Sequence, residues 1–240
     1  MTGSRPGFPV EQARRVRSFV RREGRMTAGQ QRALQALWSN FGVDPGGWVD
    51  LPALFGRLAP VTLEIGFGNG ENLVWQAERM PERDFIGIEV HRPGIGHLLG
   101  ELRRRGLENV RVFNADAVDV LECRIPPASL DAVQILFPDP WHKKRHHKRR
   151  LIQPGFVRLV ASRLRPGGLL HLATDWEDYA AQIGAVMAAS GELFEPEGPQ
   201  PLGARPPWRP ATRFERRGDR LGHRVSDFLY RRRRVSAPGG

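Results

Sequence analysis

The chain has one cysteine, Cys123, in 240 residues. No disulfide can staple the monomer, and a reducing cytoplasm is the simplest compartment to expect. No apolar run reaches 18 residues, so no membrane-spanning helix is expected. The Arg-rich N-terminus lacks the apolar segment of a signal peptide. Lysine is nearly absent as well. Of 37 basic residues only Lys143, Lys144 and Lys148 are lysine, and they share one short window. Arginine serves everywhere else, so a compact, flexible ammonium is wanted there. Internal repeats are lacking.

What is present is positive charge, and it is gathered. Residues 1–25 carry +5, residues 139–150 carry +5 and residues 213–234 carry +6, against a net charge of +11. The remainder is therefore acidic, at −5. Solvation alone does not need such clustering, whereas a polyanion does, and nucleic acid is the commonest one. No strongly apolar amphipathic face accompanies the patches, which argues against a membrane surface.

The chain is organised around Val61–Leu73, VTLEIGFGNGENL. Val61, Leu63 and Ile65 read as a buried strand, and Leu73, Val74, Ala77 and Met80 as one face of the following helix. Between them lies a turn in which Gly66 and Gly68 let a ligand approach the backbone. A dinucleotide fold wants G-x-G-x-x-G; here the third glycine comes one residue early and Glu71 takes its place. Glu64 lies inside the strand, where it would repel a pyrophosphate. It suits a cation, and S-adenosylmethionine has both a sulfonium and an ammonium. Glu89 follows Gly70 by nineteen residues and closes the next apolar run. A carboxylate there can accept both ribose hydroxyls. The pattern points to a class I methyltransferase rather than a dehydrogenase.

The rest of the chain alternates strands and helices. Strands are expected at 85–88, 110–113, 131–137 and 169–174. Helices are expected near 94–106, 117–121, 154–164 and 179–189. An alternating strand over Val225 to Tyr230 closes the fold. The fold class is α/β, a doubly wound, mostly parallel seven-stranded sheet with an N-terminal basic and helical extension. Residues 1–57 form a basic arm plus a short helix opened by a Thr27–Gln30 capping box. Residues 58–235 form the domain, and 236–240 a tail. Strands of such sheets present ligands at their carboxyl ends. Glu64, Glu89, Asp116 and Asp139 should therefore converge on one edge, with Asp116 able to accept from an adenine amino group.

The most specific stretch is Phe137–Arg150, FPDPWHKKRHHKRR. Prolines hold an acid at a strand end, and a dense cationic run follows. His142, His146 and His147 have metal-like spacing, but the neighbouring cations oppose a metal, so none is expected. Together with RSFVRREGRMT at 17–27, LEIGFGNGENL at 63–73, ATDW at 173–176 and TRFE at 212–215, this run resembles the bacterial tRNA (guanine-N7)-methyltransferase family. The resemblance implies a class I fold, S-adenosylmethionine as cofactor and a guanine in the tRNA variable loop as target. By position it implies that Glu64, Glu89, Asp116 and Asp139 contact the cofactor, with Asp139 at the reaction centre. It implies that Lys143, Asp175, Thr212, Arg213, Phe214 and Glu215 contact substrate. Arg145, His146, His147, Lys148, Arg149 and Arg150 would contact RNA. Arg213 departs from the family's usual lysine. The expected assembly is a monomer or homodimer. A non-catalytic RNA-binding module is the first alternative, which cofactor binding would exclude. A small-molecule transferase on the same fold is the second, which the cationic patches argue against.

Overall fold

The computed structural model describes residue 18 and residues 24–211, 215 and 224–234. Thr212, Arg213 and Phe214, expected to meet substrate, lie outside the described residues.

Seven strands form one sheet in the order β3-β2-β1-β4-β5-β7-β6. They are β1 Val61–Ile65, β2 Asp84–Ile88, β3 Val110–Phe113, β4 Leu130–Leu136, β5 Leu164–Thr174, β6 Phe194–Pro196 and β7 Ser226–Arg232. The first five run parallel, and β7 enters antiparallel between β5 and β6. The helices are α1 Ala28–Phe41, α2 Leu51–Phe55, α3 Glu71–Arg79, α4 Arg92–Arg105, α5 Ala117–Cys123, α6 Pro154–Arg163 and α7 Glu177–Ala188. Helices cover both faces, which is why β1 and β2 are buried at every residue. One core cluster joins Leu34 and Phe41 of α1 to α3 and α4, while the other joins the sheet to α6 and α7.

Thr27 does form the capping box with Gln30 that starts α1. The helix then packs on α4, so it belongs to the domain's own core rather than to a separate arm. Two further expectations change. β5 starts at Leu164, not Leu169: Leu164 pairs with Leu130 before the register shifts, so Arg165–Gly168 form a bulge inside the strand. β7 does not alternate. Asp227, Phe228, Leu229 and Tyr230 are all buried, because β7 is an inner strand covered on both faces.

Strand ends are level. Gly66 N donates to Ile88 O, Glu89 N to Phe113 O and Phe137 N to Ala173 O. The carboxyl ends of β1 to β5 therefore make one ledge, beside the order reversal between β1 and β4.

Candidate active site

The turn after β1 is held open by Gly66, Gly68 and Gly70, at φ 74°, 58° and 81°. Side chains rarely adopt that region. Glu89, just past β2, ties this turn to the next strand. Its Oε2 accepts from Gly68 N at 2.9 Å, and its Oε1 from Val90 N and His91 N at 2.7 and 2.9 Å. These amides take three of the roughly four acceptor positions a carboxylate has. Asp116 caps α5 through Val118 N at 2.9 Å.

Glu64 is 3% exposed. Asn72 of α3 donates to it at 2.9 Å and to Gln134 of β4 at 2.8 Å. The pairing of Glu64 with Gln134 and of Gln134 with His171 sets three polar residues in a row across β1, β4 and β5. Burial pushes the Glu64 carboxyl up to about 7, against the opposing Asn72 bond, and the nearby Glu89 charge adds to the rise. Asn72 Oδ1 is buried with no hydrogen-bond partner among the described residues. An acid made uneasy by burial, beside an orphaned acceptor, fits a ligand bearing an ammonium.

Past β4 the backbone is strained at two non-glycine residues, Phe137 (φ 54°) and Trp141 (φ 49°). They bracket Pro138-Asp139-Pro140 and turn Asp139 outward, where it is exposed. Trp141 is fixed rather than free to stack on a base: its Nε1 donates to Ser18 O at 3.0 Å, and Arg149 lies 5.0 Å above its ring. Lys143 and the 3-10 helix that follows it, Lys144–Arg149, then put Lys143, Lys144, Arg145 and Lys148 into solvent. His142 meets the Trp176 ring edge-on at 4.2 Å and His146 meets Trp141 at 5.8 Å. Partial burial, then Arg145 and the other cations, lowers the His146 imidazole below its usual range. Asp175 stands directly past β5, half-buried.

A family model described as "Putative methyltransferase" matches residues 58–228. The chain is 57% identical over 219 residues to the tRNA (guanine-N(7)-)-methyltransferase of Methylococcus capsulatus, covering 91% of this chain and 95% of the relative. With the protein of that name from Alkalilimnicola ehrlichii it shares 58% over 235 residues, covering 97% and 95%. The chain belongs to the tRNA (guanine-N(7)-)-methyltransferase family. Among solved structures, the 16S rRNA methyltransferase KamB superposes with a TM-score of 0.55 at 18% identity, covering 81% of this chain and 98% of that one. The 16S rRNA (adenine(1408)-N(1))-methyltransferase of Catenulisporales acidiphilia, solved with SAM, gives 0.52 at 13% identity, covering 77% and 91%. At those identities the likeness establishes the class I methyltransferase fold.

Within this family member, two expected contacts are placed elsewhere. Arg150, expected to reach RNA, is 2% exposed, because its guanidinium is enclosed by protein acceptors. Glu215, expected to meet substrate, is 5% exposed, and Arg209 binds both its oxygens, at 2.6 and 3.0 Å. Arg209 is itself buried, bonded to Asp227 at 2.8 and 2.9 Å and lying 5.4 Å from the Phe137 ring. His171 completes the cluster on Asp227 at 2.8 Å. Sequence reasoning missed Asn72, Gln134, His171, Arg209 and Asp227. Their polar types inside apolar strands, on the buried face of α3 and in a Pro-rich loop were the only signal.

Proposed function

We propose that this chain transfers the methyl group of S-adenosylmethionine to N7 of a guanine in the tRNA variable loop, guanine 46. The observation that supports it best is the ledge of acids at the carboxyl ends of β1 to β5, rimmed by the cationic Lys143–Arg149 loop, in a chain 57% identical to a protein of that name. The level strand ends support the reading that these acids face one ligand. When bound, the cofactor supplies an electrophilic methyl on a sulfonium.

Glu64 and Asn72 would take the ammonium end, and Gly66 and Gly68 would let the ligand lie on the backbone. Glu89 has about one acceptor left beyond its three amides, enough for one ribose hydroxyl. Asp116 would hold the adenine. Guanine N7 is an unprotonated acceptor at neutral pH, so no strong base is needed. Positive charge moves onto the purine during transfer. Asp139, exposed on the ledge, would stabilise that charge and orient the base, with Asp175 and Lys143 beside it. Arg145, His146, His147, Lys148 and Arg149 would hold phosphates, which position the RNA rather than read it. Glu215 would act one step away, held inside the fold by Arg209.

The test is to incubate the protein with methyl-labelled cofactor and unmodified tRNA, then digest and identify the nucleoside. The expected product is 7-methylguanosine mapping to the variable loop. Label on another nucleoside or another region overturns the assignment.

A further inference from the structure

We infer that Arg150 is a positioning residue, a strut that holds the Asp139-Pro140 backbone against α7. This inference rests on the function proposed above. Arg150 ends the basic run, and its neighbours Lys143, Lys144, Arg145 and Lys148 are exposed, whereas its own side chain is 1% exposed.

Each face of the guanidinium has a protein partner. Nε donates to Pro140 O at 2.8 Å, Nη1 to Gln182 Oε1 at 2.7 Å and Nη2 to Asp178 Oδ2 at 2.5 Å. The Tyr179 ring lies 4.8 Å beneath it. Asp178, Tyr179 and Gln182 all belong to α7. The same helix also holds the chain just beyond: Ile152 N donates to Tyr179 Oη and Gln182 Nε2 to Ile152 O, both at 3.1 Å. A phosphate could reach this cation only by breaking the whole set.

The bond that matters for chemistry is the one to Pro140. Its carbonyl belongs to the residue after Asp139, and the proline rings at 138 and 140 already restrict φ on either side. With Phe137 and Trp141 at positive φ, the loop sits in a conformation that a free chain would leave. Arg150 supplies an outside restraint at its middle. It joins the loop after β4 to α7, the helix that follows β5, and the His142–Trp176 ring contact at 4.2 Å ties the same loop to the N-cap of that helix. Arginine is required because one planar fork must meet three acceptors in three directions, which a lysine ammonium on a single stem cannot do.

Arg150→Lys keeps the charge and breaks the geometry. Gln182→Leu removes one acceptor from Arg150, together with the bond to Ile152 O, and leaves residues 137–141 untouched. Both variants and the wild type are assayed by single-turnover methylation at saturating tRNA and cofactor, and by tRNA binding across a salt series. Arg150→Lys should slow the single-turnover rate roughly 10- to 100-fold, since small misplacements cost that much. Its tRNA affinity should stay within about twofold and its salt slope should not move. Gln182→Leu should show a smaller loss of the same kind, and it decides the matter alone if Arg150→Lys does not fold. Arg145→Ala is the contrast, weakening binding and flattening the slope. A wild-type rate in Arg150→Lys, or a loss that follows affinity and salt slope, overturns the inference. A wild type that leaves tRNA unmethylated overturns the proposed function instead.

Discussion

Glu64 and Asp139 are both acids at strand ends, yet their surroundings divide their work. Glu64 is enclosed, and burial lifts its carboxyl to about 7. In the unfolded chain it ionises near about 4.3. Its folded pKa is the higher one, so the folded protein holds the extra proton between those values. Stability without cofactor should therefore fall as pH rises from about 4.5 through about 7 and level off above. Glu64→Gln should flatten that fall, raising the melting temperature at about pH 8 more than at about pH 5, while weakening S-adenosylmethionine binding. Parallel melting curves of wild type and variant check the first, and calorimetry the second. Asp139 is exposed, and under the proposed function it stabilises the charge that develops on guanine. Asp139→Asn keeps its size and removes its charge. Single-turnover methylation should slow by roughly 10²–10³, as for loss of one preorganised electrostatic contact. tRNA affinity should hold. A rate within about threefold of wild type would remove Asp139 from the mechanism.

At the scale of elements, the site depends on how closely α4 approaches the glycine turn. A Cβ on Gly94 would lie 2.1 Å from Gly68 O, a backbone atom that cannot swing aside. On Gly96 it would meet Gln30 O at 2.5 Å, so α4 is pressed between that turn and α1. Gly94→Ala should push the helix off the turn, costing about 1–3 kcal/mol of stability as an overpacked site does. It should weaken cofactor binding as well. Gly100→Ala on the same helix is the control, because its Cβ would reach only Ala33 Cβ at 4.0 Å. Equal melting temperatures for the two variants would show that the close approach does not matter.

At the scale of the whole molecule, charge is segregated. Among the described residues Lys144, Arg145 and Lys148 of the 3-10 helix stand in solvent and Arg149 is half-buried over Trp141, while Arg150 and Arg209 are used inside the fold. Replacing Arg145 and Arg149 with alanine should weaken tRNA binding and flatten its salt dependence by roughly 0.7–0.9 log units per lost phosphate contact. Filter binding over a salt series measures it, and an unmoved slope would make them a solvated face. Arg209 works differently. It lies between the buried carboxylates of Glu215 and Asp227. Arg209→Met would leave Asp227 with His171 alone and Glu215 with only the more exposed Arg205 at 3.4 Å, a loss of about 3 kcal/mol. For a chain of this size that lowers the melting temperature by roughly 10 °C. A shift under about 2 °C, at most about 1 kcal/mol, would show that the cluster adds little.

The sequence by itself determined the strand, glycine turn and helix at 61–79, the parallel core, and the positions of Glu64, Glu89, Asp116 and Asp139 at or just past successive strand ends. These are local: hydrophobic period, glycine spacing and the residue that closes each strand are read within a few positions, and parallel pairing levels the ends. Only the tertiary structure decided that β7 is an inner strand, that α1 belongs to the core, and that Arg149 and Arg150 point to opposite fates. In the sequence those two arginines are adjacent and alike. What separates them is α7, packed so that Asp178, Tyr179 and Gln182 meet Arg150 from 28 to 32 residues away. Arg209, Glu215, Asp227 and His171 show the same limit. Their pairing follows from strand register and a loop folding back across β5 and β7, and a buried ion cluster has no periodic trace in the chain that forms it.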